Sequence, residues 1–257
     1  MTIRVAVAAH KPYRMPKDGV YLPLQVGAAG KPPISAPEGG GDFARDDSGE
    51  NISARNANWC ELTGLYWMWR NLDADALGLV HYRRHFRGAH GEASGAELEK
   101  ALSSADVVLP RKRNYFIETT YSQYVHAHHA QDLDVTRCII AERCAGFLPA
   151  FDASMKSTKG HRFNMFVMRR PLFLEYCDWL FGVLFELERR LDISGYSPYD
   201  ARVFGFVGER LLDVWLGQKA SEPGGVRVAE MPVMHLESQH WPTKIASFLR
   251  RKLRAGQ

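Results

Sequence analysis

The densest chemistry in the chain lies in His81-Tyr82-Arg83-Arg84-His85-Phe86-Arg87, where three arginines and two histidines fall within seven positions. A guanidinium is a planar fork of donors that matches phosphate oxygens and keeps its charge near neutrality. Fixed cations beside a pyrophosphate leaving group stabilise a transition state more than its ground state. The competing reading of the same run is a solvated basic loop with Tyr82 turned to the core.

Three further runs carry polar groups. Asp46, Asp47, Asn51, Ser53 and Asn56 lead into a helix start, whose free N–H groups attract anions. Ordinary capping and turn roles explain the same residues. In residues 199–212, Gly205 and Gly208 permit close approach of a ligand or another backbone. Glu209 can take a proton from an acceptor hydroxyl, with Asp200 as the alternative base. The plainer reading pairs Glu209 with a surface arginine. His126, His128 and His129 share one segment, which rarely converges on a metal, so no metal site is expected there. His128 and His129 are instead candidate acceptor contacts, as is Asn164, which precedes a strand together with His161 and Arg162.

These groups need elements to hold them. Residues 3–9 and 76–80 read as buried strands, 106–109 as a strand ended by Pro110, 164–168 and 226–234 as later strands. Helices are expected over 56–71, part of 121–144, from Pro171 to Arg190 and over 201–216, with a capping box at Ser94 and Glu97 opening another. Residues 27–49, rich in Gly and Pro, read as one long loop. Alternating strands and helices argue for an α/β sheet with mostly parallel strands, whose ligands gather at the carboxyl ends. Three polar clusters fall at such ends: His10 to Tyr13, His81 to Arg84, and His235 to Glu237.

The chain has 257 residues, 46% hydrophobic, enough for a substantial core, and a formal net charge of only +4. No stretch reads as a secretion signal or approaches the length of about 20 apolar residues that spans a bilayer. A cytoplasmic protein is therefore expected, with reduced thiols at Cys60, Cys138, Cys144 and Cys177. Residues 1–243 read as one domain and 244–257 as a short basic tail. That tail sets apolar residues beside Arg250, Arg251, Lys252 and Arg254, a pattern suited to an anionic membrane surface.

Taken together, His10-Lys11, residues 46–53, Glu61-Leu62-Thr63, Tyr66-Trp67-Met68-Trp69-Arg70-Asn71, Gly78-Leu79-Val80-His81-Tyr82-Arg83-Arg84-His85-Phe86, Asn164-Met165-Phe166 and residues 204–212 resemble a bacterial family of capsule and O-antigen gene clusters, long known only as a domain of unknown function. The resemblance runs from about His10 to Leu216. Its members are understood to be glycosyltransferases, some of them galactofuranosyltransferases that use UDP-galactofuranose. It implies a single GT-A-like α/β domain that binds a nucleotide sugar, with a mostly parallel central sheet flanked by helices. In that fold a strand usually ends in an Asp-x-Asp that holds a divalent metal. Here residues 76–80 run into His81-Tyr82-Arg83, so Arg83 and Arg84 are expected to hold the diphosphate without a metal cofactor. Asp46 and Asp47 are the alternative metal ligands.

The expected function is thus transfer of a sugar from a UDP-sugar to a capsular or O-antigen glycan, or its lipid-linked form, at the inner face of the cell membrane. His10, Lys11, Asp46, Asp47, Asn51, Ser53, Asn56, His81, Tyr82, Arg83, Arg84 and His235 are the expected donor-side residues. A non-catalytic module binding a nucleotide sugar or phosphoglycan shares all of these except the base. Nucleic-acid binding is not expected, because Trp59, Trp67 and Trp69 recur at core helical spacing and the net charge is small.

Overall fold

The structure is a computed structural model that describes residues 1–37 and 41–237. The basic tail lies outside the described residues. The strands are β1 (Ile3–Ala9), β2 (Tyr21–Gln25), β3 (Ala44–Arg45), β4 (Ala76–His81), β5 (Arg84–Gly88), β6 (Gly91–Glu92), β7 (Val107–Pro110), β8 (Arg113–Asn114), β9 (Lys159–Gly160), β10 (Phe166–Arg169), β11 (Val228–Met231) and β12 (Val233–His235). The helices are α1 (Asn56–Trp59), α2 (Leu62–Asn71), α3 (Gly95–Ser104), α4 (Thr120–Val125), α5 (Ala130–Arg143), α6 (Leu148–Lys156), α7 (Arg170–Arg190) and α8 (Val203–Ser221).

The main path of the sheet runs β11-β7-β10-β4-β1-β2-β3. Every neighbouring pair along it is parallel except those made by β10, which is antiparallel to β4 and β7. The mostly parallel central sheet flanked by helices is therefore the architecture observed. Pleating sends alternate residues to opposite faces. Ala6, Ala8, Leu77, Leu79, Phe166 and Met168 join the core under the large helices, while Val5, Val7, Val80 and Val167 join a second core on the other face.

Several boundaries differ from expectation for local reasons. Residues 27–49 are not one uninterrupted loop: Ala44–Arg45 pairs with Leu24–Gln25 as β3. Strand β2 itself carries Pro23, which disguises it, yet it pairs along β1 with Leu24 fully buried. The expected helix over 56–71 breaks at Cys60, whose φ of 53° lies outside the helical range, into α1 and α2. Residues 84–88 are a strand, not the continuation of a polar loop, and carry His85 into the core. The expected strand over 226–234 is divided at Pro232 into β11 and β12, which pair with β7 and β5 respectively. Helix α6 falls where no element was expected. The capping box at Ser94 and Glu97 is present as read.

Gly205 and Gly208 serve packing. A Cβ on Gly208 would lie 2.8 Å from Leu62, and one on Gly205 would lie 3.1 Å from Cys60. Their bare backbone lets α8 lie against α1 and α2, so the close approach is by protein.

Candidate active site

Parallel pairing of β1 with β4, in which Ala8 is in register with His81, brings their carboxyl ends out side by side. The loop after β2 joins them, because Val26 N–H donates to Ala9 O at 2.9 Å. His10, Lys11, Tyr82 and Arg83 meet there. The buried Tyr82 ring is a platform: His10 and Tyr13 stand edge-on to it at 5.2 and 5.0 Å, and the Lys11 and Arg83 cations lie 5.5 and 5.0 Å from its centroid. Burial first, then Arg83, Lys11, Lys31 and Arg202, hold the His10 imidazole below its usual pKa. Four cations thus act on one ring, a corner suited to an anion.

The two arginines have different surroundings. Arg83 donates to Glu237 at 2.9 Å, and Lys11 lies 3.9 Å from the same carboxylate. Arg84 lies with its guanidinium carbon 4.4 Å from the Phe163 ring centroid. Among the described residues it has no carboxylate within ion-pair distance. Burial, then the charge of Arg83, pushes its pKa below the usual arginine range, while Glu209 and Glu61 act in the opposite sense.

Arg84 and His81 converge on one tight turn. Phe163 and Asn164 have φ of 80° and 49°, a left-handed conformation that costs a non-glycine residue about 1–3 kcal/mol when held there. Phe163 O is bound by His81 Nε2, and His235, on β12, stands edge-on to the Phe163 ring. Asn164 Nδ2 donates to Glu61 Oε1 at 2.7 Å. Its buried Oδ1 has no hydrogen-bond partner among the described residues. Glu61 and Arg202 fall within runs singled out from sequence, Glu61-Leu62-Thr63 and residues 199–212, but were given no site role of their own. A lone acid at a helix start was the faint signal for Glu61.

The candidate bases occupy neighbouring settings. Glu209 Oε1 accepts from Arg210 Nη1 at 3.2 Å and lies 3.8 Å from Arg162 Nε. Both arginines are nearly buried. Glu209 is among the charges acting on Arg84 and also among those acting on His128. Asp200 accepts from Ser197 Oγ at 2.6 Å and faces His128 Nδ1 at 3.4 Å and His129 Nε2 at 3.9 Å. The Ser197 hydrogen bond, then His128, keeps the Asp200 carboxyl below its usual pKa. The His128 ring is stacked on Phe206, with centroids 4.2 Å apart.

The cluster from Asp46 to Asn56 is built inward. Asp46 is fully buried and accepts from Gly27 N–H at 2.8 Å, Ala28 N–H at 2.9 Å, Thr63 Oγ1 at 2.6 Å and Ser53 Oγ. Asn56 donates to Cys60 O and Thr63 Oγ1. Asn51 Nδ2 donates to Gly49 O, and its Oδ1 accepts from Ser53 N–H. Asp47 forms a two-pronged pair with Arg45 at 3.0 and 2.7 Å. These residues fasten the loop after β2 to the start of α2. Asp46 and Asp47 do not face each other across an open site, and among the described residues no three His, Cys, Asp or Glu side chains are grouped to hold a metal ion.

A mostly parallel α/β sheet with a cluster of cations at its carboxyl edge, faced by carboxylates just ahead of α2 and on α8, is the class that fold and geometry define. Residues 4–220 match the family model described as "Domain of unknown function (DUF4422)", and the chain belongs to that family. In fold it is similar to a solved structure titled as a WbbM bifunctional glycosyltransferase in its apo state, with a TM-score of 0.83 and 25% identity over 93% of this chain and 46% of that one. The chain thus spans about half the length of that protein. No curated protein matches it. Among the described residues no helix is long and apolar enough to cross a membrane.

Proposed function

We propose that the chain is a glycosyltransferase that moves a sugar, galactofuranose from UDP-galactofuranose, onto a growing capsular or O-antigen glycan at the inner face of the cell membrane. The observation that carries this is Arg84: a half-buried guanidinium at the start of β5, with no carboxylate partner among the described residues. A diphosphate supplies the missing anion. As the bond from anomeric carbon to phosphate oxygen breaks, that oxygen gains charge, and Arg84, Arg83, Lys11 and His10 stabilise it. The arginines then stand where related folds hold a metal, and no cofactor takes part in the proposal.

Glu209 is the proposed base. It takes the acceptor hydroxyl's proton as that oxygen bonds to the anomeric carbon, and the nucleoside diphosphate leaves. Its charge reaches both the donor corner, through Arg84, and the aromatic shelf of His128 and Phe206, which with His129 and Asn164 is the proposed acceptor side. Asp200, held by Ser197 beside His128, is the second candidate.

The test is transfer by the purified chain from a panel of UDP-sugars to glycan acceptors. Glu209→Gln should lower transfer by roughly 10²–10⁴-fold while UDP affinity stays nearly unchanged. If the Gln variant transfers normally and Asp200→Asn does not, the base is Asp200. Binding of a UDP-sugar with no turnover on any acceptor favours the module that only binds.

A further inference from the structure

Phe116 and Ile117 are 80% and 76% exposed, well beyond any other large apolar side chain described. They are adjacent and form the tip of the segment after β8. Residues 111–117 contain Arg111, Lys112 and Arg113, all exposed, and no acid. Exposed Lys159 is in register with Asn114 across the β8–β9 pair, and exposed Lys156 precedes it. The nearest acid in sequence, Glu118, is buried and paired with His126 at 2.9 Å.

The tip is held out by its base. Tyr115 N–H donates to Thr158 O at 2.8 Å, and Tyr115 Oη accepts from Arg162 Nε at 2.9 Å. Phe116 N–H donates to Asn114 Oδ1 at 2.9 Å, and Phe116 takes a φ of 60°, which is uncommon for a bulky residue. Tyr115 therefore turns inward while the next two side chains stand in water, an unfavourable arrangement unless something covers them.

We infer that residues 111–117 form a membrane contact, with Phe116 and Ile117 entering the interface of an anionic bilayer and Arg111, Lys112, Arg113, Lys156 and Lys159 meeting its phosphates. Two side chains offer far less than the roughly 800 Å² per partner of a stable protein interface, whereas a lipid surface needs no matching pocket. Apolar tips ringed by lysine and arginine suit the headgroup boundary. Arg162 bonds the loop's Tyr115 and flanks Glu209, so this contact turns the Glu209 side of the cleft toward lipid. That orientation, toward a lipid-linked acceptor, rests on the transferase reading, and the lipid contact does not.

The experiment is sedimentation of the full chain with vesicles of phosphatidylcholine alone or mixed with phosphatidylglycerol. Binding to the anionic vesicles should be at least about tenfold tighter and should weaken with salt. Phe116→Asn combined with Ile117→Ser should lower it about tenfold with an unchanged melting temperature, because Asn accepts a positive φ. Absence of binding by the natural chain, equal binding to both vesicles, or undiminished binding by the double variant overturns the inference. The last result would move the contact to the basic tail. A chain that binds through the loop and transfers no sugar supports the lipid contact and fails the transferase reading.

Discussion

Asn164 Nδ2 donates to Glu61 Oε1 at 2.7 Å, tying the turn before β10 to the first residue ahead of α2 across 103 positions of sequence. The bond fixes a carboxylate that acts on Arg84. Asn164→Ala removes a buried donor and places Ala at a φ of 49°, so stability should fall by about 1–3 kcal/mol, read as a lower urea midpoint. Glu61→Gln keeps an acceptor oxygen and should stay close to the natural midpoint. A midpoint unmoved in Asn164→Ala would show that the tie carries no stability.

The arginines should separate in binding. Arg84→Ala should weaken UDP binding by about 1.5–3 kcal/mol, the range for charge-assisted hydrogen bonds. Arg83→Ala should cost less, because Arg83 already serves Glu237. Glu237→Gln should tighten UDP by releasing Arg83 and Lys11. Calorimetry on the three variants decides the order, and equal losses at Arg83 and Arg84 would contradict it.

Transfer should continue in EDTA. If chelation abolishes it and manganese or magnesium restores it, the guanidinium reading of the diphosphate site fails. Asp46 would still be a poor choice of ligand, since its oxygens already serve four donors of the chain.

His85 gives the fold an acid limit. The ring is fully buried, and burial pushes its pKa down to about 4. Unfolding exposes it and returns its pKa to about 6.5. The unfolded chain then binds the proton first, so this contribution to stability is full above pH 6.5 and is lost as pH falls from 6.5 toward 4. The loss is on the order of 3 kcal/mol by the linkage relation. His85→Phe should flatten urea midpoints between pH 6.5 and 4. An equally steep decline in the variant would assign the acid limit elsewhere.

Legibility followed the range of the interactions. β1, the core of β4 and the helix beginning at Pro171 were readable because apolar periodicity and proline act within a few residues. The capping box at Ser94 and Glu97 was readable because both partners sit in one helical turn. The run from His81 to Arg87 announced cationic chemistry by composition. What it could not divide was Arg83 from Arg84, or His81 from His85, because alternation along β5 and the return of β12 beside it set which side chain meets Glu237, Phe163 or the core.

The amino-acid order by itself therefore determined β1, β4, β7, β10 and the longer helices, the carboxyl-edge clusters and the basic character of the site. Tertiary structure alone decided that Asp46 is a buried anchor, that Pro23 lies within a strand, that Gly205 and Gly208 admit helices, and that Glu61 and Arg202 join the cleft. Each of these depends on a partner distant in the sequence: Gly27 for Asp46, Val7 for Pro23, Cys60 and Leu62 for the two glycines, Asn164 for Glu61 and Cys60 for Arg202. A hydrogen bond, a close backbone approach or an unpaired guanidinium is a property of two positions in space, and sequence spacing constrains only positions that share a local element.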